Sequence, residues 1–275
     1  MKRVLPFILM LAFFSCDEQM PEIPCLSCER ETTEPDPQQK KVLIEEFTGV
    51  HCVQCPAGSA EIESLLDFYG EGLIAVSIHA GFFSNPFSNS IFNFQTEEGE
   101  ALNSYLDLPE GYPTAVINRK LFPNEDDLQL NRNSWGGYIA QELELQTEVN
   151  MSVELSYDPS SRQLTTKTTI LPLVDQSDEI RISLMLTETD IQDVQLTPEG
   201  EKVDYTHRHV LRDMMTPFDG ETIPEAFTAG STIEKTHSIQ LDDAWVSNNM
   251  EVIVFIHKIG SNREVLQAET AHLPE

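Results

Sequence analysis

Basic residues are scarce in this chain: 17 lysines and arginines stand against 46 aspartates and glutamates, a formal net charge of −29 at pH 7. So acidic a composition argues against nucleic acid as a partner, because phosphates need a basic face. It argues equally against charge-driven adhesion to anionic lipid. Cysteines are few, 5 in 275 residues, and none lies after Cys55, so the second half has no disulfide of its own. Long apolar runs are also missing. The stretch Val4 to Phe14 is too short to span a bilayer. Strand-like segments are too few, and too often interrupted by helical patterns, for an outer-membrane barrel.

What is present begins with an address. Met1-Lys2-Arg3 followed by the apolar stretch reads as an export signal. It ends at Ser15-Cys16, which resembles the lipobox of bacterial lipoproteins, with Phe13 and Phe14 where smaller residues are usual. The resemblance implies a signal peptide over residues 1–15, a lipid on Cys16 and an outer membrane location, on its periplasmic or cell-surface face. Residues 16–39 read as a flexible tether, rich in Pro, Glu, Thr and Gln with little to bury. The tether carries a pair, Cys25-Leu26-Ser27-Cys28, expected as a local disulfide in an oxidising compartment. Two alternatives stay open: a redox relay with a later pair, and a four-cysteine zinc site with the spacing C-x2-C-x23-C-x2-C. The local disulfide is preferred, and no metal or cofactor is expected.

The later pair is Cys52-Val53-Gln54-Cys55. Lys41 to Phe47 before it reads as a buried strand, and Ile62, Leu65, Leu66 and Tyr69 after it recur at helical spacing. A CxxC at a strand-to-helix turn puts both thiols in the first turn, where unpaired N–H groups and the helix dipole favour a thiolate. Cys52 is expected to be exposed there, Cys55 shielded beneath it, and Glu46 at least partly buried nearby. From residue 40 to 146 the order reads strand, helix, strand, helix, strand, short hairpin, helix. That order, the CxxC, Glu46 six residues before Cys52, and Tyr112-Pro113-Thr114 leading into a strand resemble a thioredoxin fold. The resemblance implies that Glu46 accepts the proton of Cys55 and that Pro113 is a cis-proline facing the disulfide. His51, where thioredoxins carry Trp, and Val53-Gln54, in place of Gly-Pro, depart from that pattern. So does the loop from Ala80 to Gln95, whose Phe82, Phe83, Phe87, Phe92 and Phe94 either form a partner surface or pack back onto the body.

Residues 147–275 change period. Met151, Val153, Leu155 and Tyr157 alternate, Asp158-Pro159-Ser160-Ser161 turns, and further alternating runs follow to Ala271. About seven short strands suggest an all-β immunoglobulin-like sandwich. Within it, His207 and His209 on one strand face, with Asp213 beside them, form a weak metal candidate against the ordinary reading of unliganded strand histidines.

The segment Glu46-Phe47-Thr48-Gly49-Val50-His51-Cys52-Val53-Gln54-Cys55-Pro56, with His209-Val210-Leu211-Arg212, resembles the 28-kilodalton outer membrane protein family of Bacteroidetes lipoproteins. Two function classes compete. One is a binding or structural lipoprotein in which the CxxC disulfide stiffens a helix start, with an unidentified protein partner; this is the preferred reading. The other is a thiol–disulfide oxidoreductase, with Cys52 attacking, Cys55 resolving, Glu46 accepting a proton and Pro113 presenting substrate backbone.

Overall fold

Seven consecutive buried residues, Val42–Thr48, form strand β1 in the computed structural model, which describes residues 36–260 and 262–274. A strand buried on both faces lies between neighbours. β1 pairs in parallel with β2 (Leu73–His79) and antiparallel with β3 (Thr114–Ile117). Helix α1 (Cys55–Tyr69) joins β1 to β2 and carries Pro56 in its first turn, where a missing N–H costs nothing. Helix α2 (Glu97–Tyr105) is capped by Thr96, whose hydroxyl accepts the Gly99 N–H at 2.9 Å. The two-residue strand β4 (Leu130–Asn131) pairs with β3, and α3 (Trp135–Leu143) follows. Ile62 and Leu65 of α1 share a core with Trp135 and Ile139 of α3 and with Ile44 and Ala115 of the sheet.

The later strands are β5 (Val149–Asp158), β6 (Gln163–Pro172), β7 (Ile180–Glu188), β8 (Ile191–Thr197) and β9 (Gly200–His207). They continue with β10 (Val210–Met214), β11 (Glu221–Thr222), β12 (Ile233–Gln240), β13 (Met250–Lys258) and β14 (Val265–His272). The protein is therefore mostly β-sheet with few helices. Strands from both halves build one long sheet in the order β14-β13-β7-β10-β2-β1-β3-β4, with β11 paired to β7. A second sheet, β12-β6-β5, packs across it: Met151, Leu164, Ile170 and Ile233 meet Ile182, Leu184, Val252 and Val254 in one core. Among the described residues β8 and β9 pair only with each other, as a hairpin outside both sheets.

The junction between the halves is a β-pairing. Val210 sits opposite Ser77, and the Ser77 N–H donates to the His209 carbonyl at 2.7 Å. Phe47, Val76 and Ile78 share a core with Met185, Leu211, Ile253 and Phe255. The parts of the chain before and after residue 146 thus share one sheet and one core. The outer edge and apolar face of β2 need cover, and the second half supplies it.

The signal peptide, Cys16, Cys25 and Cys28 lie outside the described residues. The end of the expected tether does not swing free: the Gln38 N–H donates to Asn150 Oδ1 at 2.8 Å, and Gln39 bridges to Gln146.

Candidate functional site around the CxxC

At the end of β1 the chain passes under the 80–95 loop. A Cβ on Gly49 would lie 2.5 Å from the Phe83 carbonyl, so only glycine allows this approach, and the next-but-one N–H, of His51, donates to that carbonyl at 2.9 Å. Cys52 and Cys55 are joined in a disulfide. The helix begins at Cys55, so Cys52 precedes it instead of sharing its first turn. Cys52 is 3% exposed and Cys55 1%. The expectation of an exposed Cys52 is corrected: both sulfurs' residues are buried.

The cover comes from the second half of the chain. The Leu196 N–H of β8 donates to the Val50 carbonyl at 2.8 Å. The side-chain amide of Gln195 donates to the carbonyls of Gly49 and Cys52 at 3.3 and 3.2 Å. Asp193, itself buried, accepts the N–H groups of Ile91 and Phe92 at 3.0 and 2.7 Å and so binds the hairpin to the phenylalanine-rich loop. Val50, Phe94, Ile191 and Val210 form a small core at this contact, with Phe87 and Phe92 against it. The His51 ring lies 3.7 Å from that of Phe87. Most of the loop therefore packs back onto the body; Phe82, 83% exposed, is the exception among its phenylalanines.

Glu46 lies on the other side of the helix start. It is fully buried; Ser77 Oγ donates to its Oε2 at 2.9 Å, and Oε1 has no partner. A Cβ on Gly58 would lie 2.6 Å from Glu46 Oε1 and 2.7 Å from Pro113 Cβ, so the three residues converge under the first turns of α1. The Tyr112–Pro113 peptide is cis. Burial pushes the Glu46 carboxyl up to about 8, against the Ser77 hydrogen bond and the charge of His209. Beside this group a cleft of about 270 Å³ is lined by Gln54, Tyr112, Pro113, Asn131, Arg132 and Asn133. The arrangement sets a buried carboxyl and the cis-proline beneath the first turns of the helix that Cys55 begins, with a buried disulfide at the helix start and a cleft beside Pro113.

His207 and His209 do not share a face. The chain turns between β9 and β10 with φ +53° at His209, which breaks the strand alternation. His207 is buried beside His79, ring centroids 5.6 Å apart, and burial pushes it down to about 4. His209 Nε2 instead sits 3.2 Å from Glu63, with Glu251 on its other side. Burial opposes its charge, but hydrogen bonds and charges of Glu251 and Glu63 outweigh that and push it up to about 9. Asp213 is also placed apart from them, near Glu98. Sequence reasoning missed Asp193 and Gln195 entirely. The turn Thr197-Pro198-Glu199-Gly200 between two alternating segments is the signal that marks their hairpin.

The family described as outer membrane protein Omp28 matches residues 100–275. The chain belongs to the Omp28 family. Membership places it at the outer membrane; the CxxC lies ahead of the matched span. Among solved structures, this Omp28-family chain is similar to HBP35 of Porphyromonas gingivalis, with TM-score 0.69 and 18% identity over 87% of this chain and 77% of that one. It is also similar to protein AGR_C_4864 from Agrobacterium tumefaciens, with TM-score 0.52 and 12% identity over 87% and 97% of the two chains. Both likenesses are of fold. A domain of the outer membrane lipoprotein Omp28 from Porphyromonas gingivalis aligns with 46% of this chain and 88% of that one at TM-score 0.32 and 11% identity. No curated protein matches the chain.

Proposed function

We propose that the protein is an outer-membrane lipoprotein, anchored through Cys16, whose main role is to bind or brace a protein partner. Its scaffold is thioredoxin-like over residues 40–146 and immunoglobulin-like over 147–275, the two sharing a sheet. The observation that carries this reading is the burial of Cys52, 3% exposed beneath the β8–β9 hairpin. A disulfide so covered acts as a staple at the start of α1. Phe82 and Ile91, 83% and 77% exposed on the 80–95 loop, are the apolar residues offered to a partner beside it.

A second reading, thiol–disulfide exchange, is favoured by one feature that a staple leaves unused. Glu46 is buried with a free oxygen beside Pro113 and Gly58. A buried carboxyl costs stability unless it has work to do. In this reading Cys52 attacks, Cys55 resolves, Glu46 exchanges the proton and Pro113 holds substrate backbone. Expression of Cys55→Ser in cells separates the two. If binding is the main role, no protein accumulates as a mixed disulfide on Cys52; a discrete trapped species, absent from the Cys52→Ser/Cys55→Ser double variant, establishes exchange.

A further inference from the structure

The second half covers the outer edge of β2 only from Ser77 onward. Along this strand the N–H and C=O groups of even-numbered residues face β1; Ala80, just beyond it, donates to the Thr48 carbonyl at 3.3 Å. Those of odd-numbered residues face the other way, where the Ser77 N–H meets the His209 carbonyl at 2.7 Å. β10 begins at Val210, opposite Ser77, so among the described residues no strand runs beside Ala75, two residues earlier. The Gly70 carbonyl takes the Leu73 N–H, but among the described residues nothing pairs with the N–H and C=O of Ala75. Ala75 is buried, and a buried backbone N–H left open is rare in a folded protein.

The space beside it is a cavity of about 170 Å³ at the junction of the two halves. One wall is apolar, made by Leu66 near the end of α1 and by Leu73 and Ile74 of β2. The facing wall is polar and centres on Glu251 of β13. The Thr187 hydroxyl donates to its Oε1 at 3.4 Å and the Thr270 hydroxyl to its Oε2 at 2.9 Å. His209 Nδ1 and, at the exposed rim, His272 Nε2 stand off at 4.0 and 3.8 Å. A carboxylate has about four lone-pair sites, so Glu251 keeps room for a further donor. An apolar cavity of about 150 Å³ accommodates benzene, so this one takes a body of roughly six to nine non-hydrogen atoms.

We propose that this cavity binds an apolar α-amino amide, the chemistry of leucinamide or of the first residue of a peptide. The ammonium donates to Glu251. The amide pairs with the open N–H and C=O of Ala75, standing where β10 stops short of it. The aliphatic side chain covers Leu66, Leu73 and Ile74. Charge favours the amide over the free acid, because a carboxylate beside Glu251 in a chain of net charge −29 is repelled. The site lies at the far end of α1 from Cys55 and is independent of both readings of the CxxC.

The test is calorimetric titration of the full chain with leucinamide, expected to saturate at one molecule per chain with a Kd of about 1 mM or tighter. N-acetyl-leucinamide, which lacks the ammonium, and 3-methylbutylamine, which lacks the amide, should each bind about tenfold more weakly or worse. Glu251→Gln should weaken leucinamide by a similar factor and leave the acetylated probe unchanged, a difference that a merely structural role for Glu251 does not produce. Should that variant fail to fold, the wild type still decides: saturating leucinamide should shift the Ala75 amide resonance and leave that of Leu43 in place. Leucyl-glycyl-glycinamide separates the two sources. Binding as tight as that of leucinamide assigns the site to a peptide's first residue, and loss of binding assigns it to the free amide. No saturable binding at about 10 mM leucinamide, equal affinity for the parent and acetylated probes, or an unmoved Ala75 amide overturns the proposal and leaves the cavity to water alone.

Discussion

Arg119 grips Glu45 with two hydrogen bonds, at 2.9 and 2.7 Å, and neither side chain reaches solvent. The guanidinium also lies 4.7 Å over the ring of Phe255, so one pair ties β1, the turn after β3 and β13 together. Removing one partner of a buried ion pair strands the other charge. Arg119→Leu is therefore expected to destabilise the protein by about 3–5 kcal/mol, read as a shift of the urea midpoint. Glu45→Gln/Arg119→Leu should recover part of the loss, because the stranded carboxylate is gone.

Glu46 gives stability a pH dependence of defined sign. Its carboxyl titrates near 8 when folded, against 4.5 as the ordinary value, so folding favours the protonated form. The contribution is fully present below pH 4.5 and is lost as pH rises through 8. The loss runs at up to about 1.4 kcal/mol per pH unit. His209, held near 9, loses its contribution over an overlapping range above 6.5. Comparison with Glu46→Gln isolates the carboxyl: the variant should gain on the wild type steadily from pH 5 to 8. Parallel unfolding free energies across that range would show that Glu46 is ionised in the folded protein.

Gly58 is fixed by crowding. A methyl there would press on Glu46 Oε1 and the Pro113 ring within 2.8 Å. Gly58→Ala should cost about 1–3 kcal/mol from overpacking, although alanine suits a helix better than glycine. A variant as stable as wild type, measured by denaturant melt, would mean that α1 shifts freely away from β1.

The anchor is tested by fractionation and mass. Cys16→Ala should release the protein from the outer membrane or leave it unprocessed. A variant that stays membrane-bound at the wild-type mature mass removes the lipidation claim.

Cys25 and Cys28 should matter little to the folded body. Replacing both with serine is expected to change its unfolding free energy by less than about 0.5 kcal/mol. A loss of about 2–5 kcal/mol, typical of structural disulfides, would show that they staple it. Stoichiometric zinc in the reduced chain, lost on mutating either pair, would restore the four-cysteine site.

Where burial acts along a continuous run, the sequence was readable. Leu73 to Ile78 announces a strand covered on both faces, and β2 spans Leu73–His79. The convergence on α1 was partly readable as well, because Glu46, the CxxC and Pro113 belong to neighbouring elements. Exposure of Cys52 was not. Its cover hangs on Gln195, 143 positions away, and β9 is exposed over Gly200 to Asp204, so its composition resembles a loop. Alternation also misplaced His209. A period of two assumes extended backbone, and a single residue at positive φ cancels it.

The first described strand is fastened by the last. The Lys41 N–H donates to Gln267 Oε1 at 2.9 Å, and the Val265 N–H to the Asn118 carbonyl at 2.9 Å. The core holding Leu43 and Phe47 also holds Val265 and Ala268. These contacts join residues some 220 positions apart, the kind of non-local pairing that slows folding. β1 thus finds its strand partners, β2 and β3, within about 75 residues of itself, but the apolar cover of its far face only in β14.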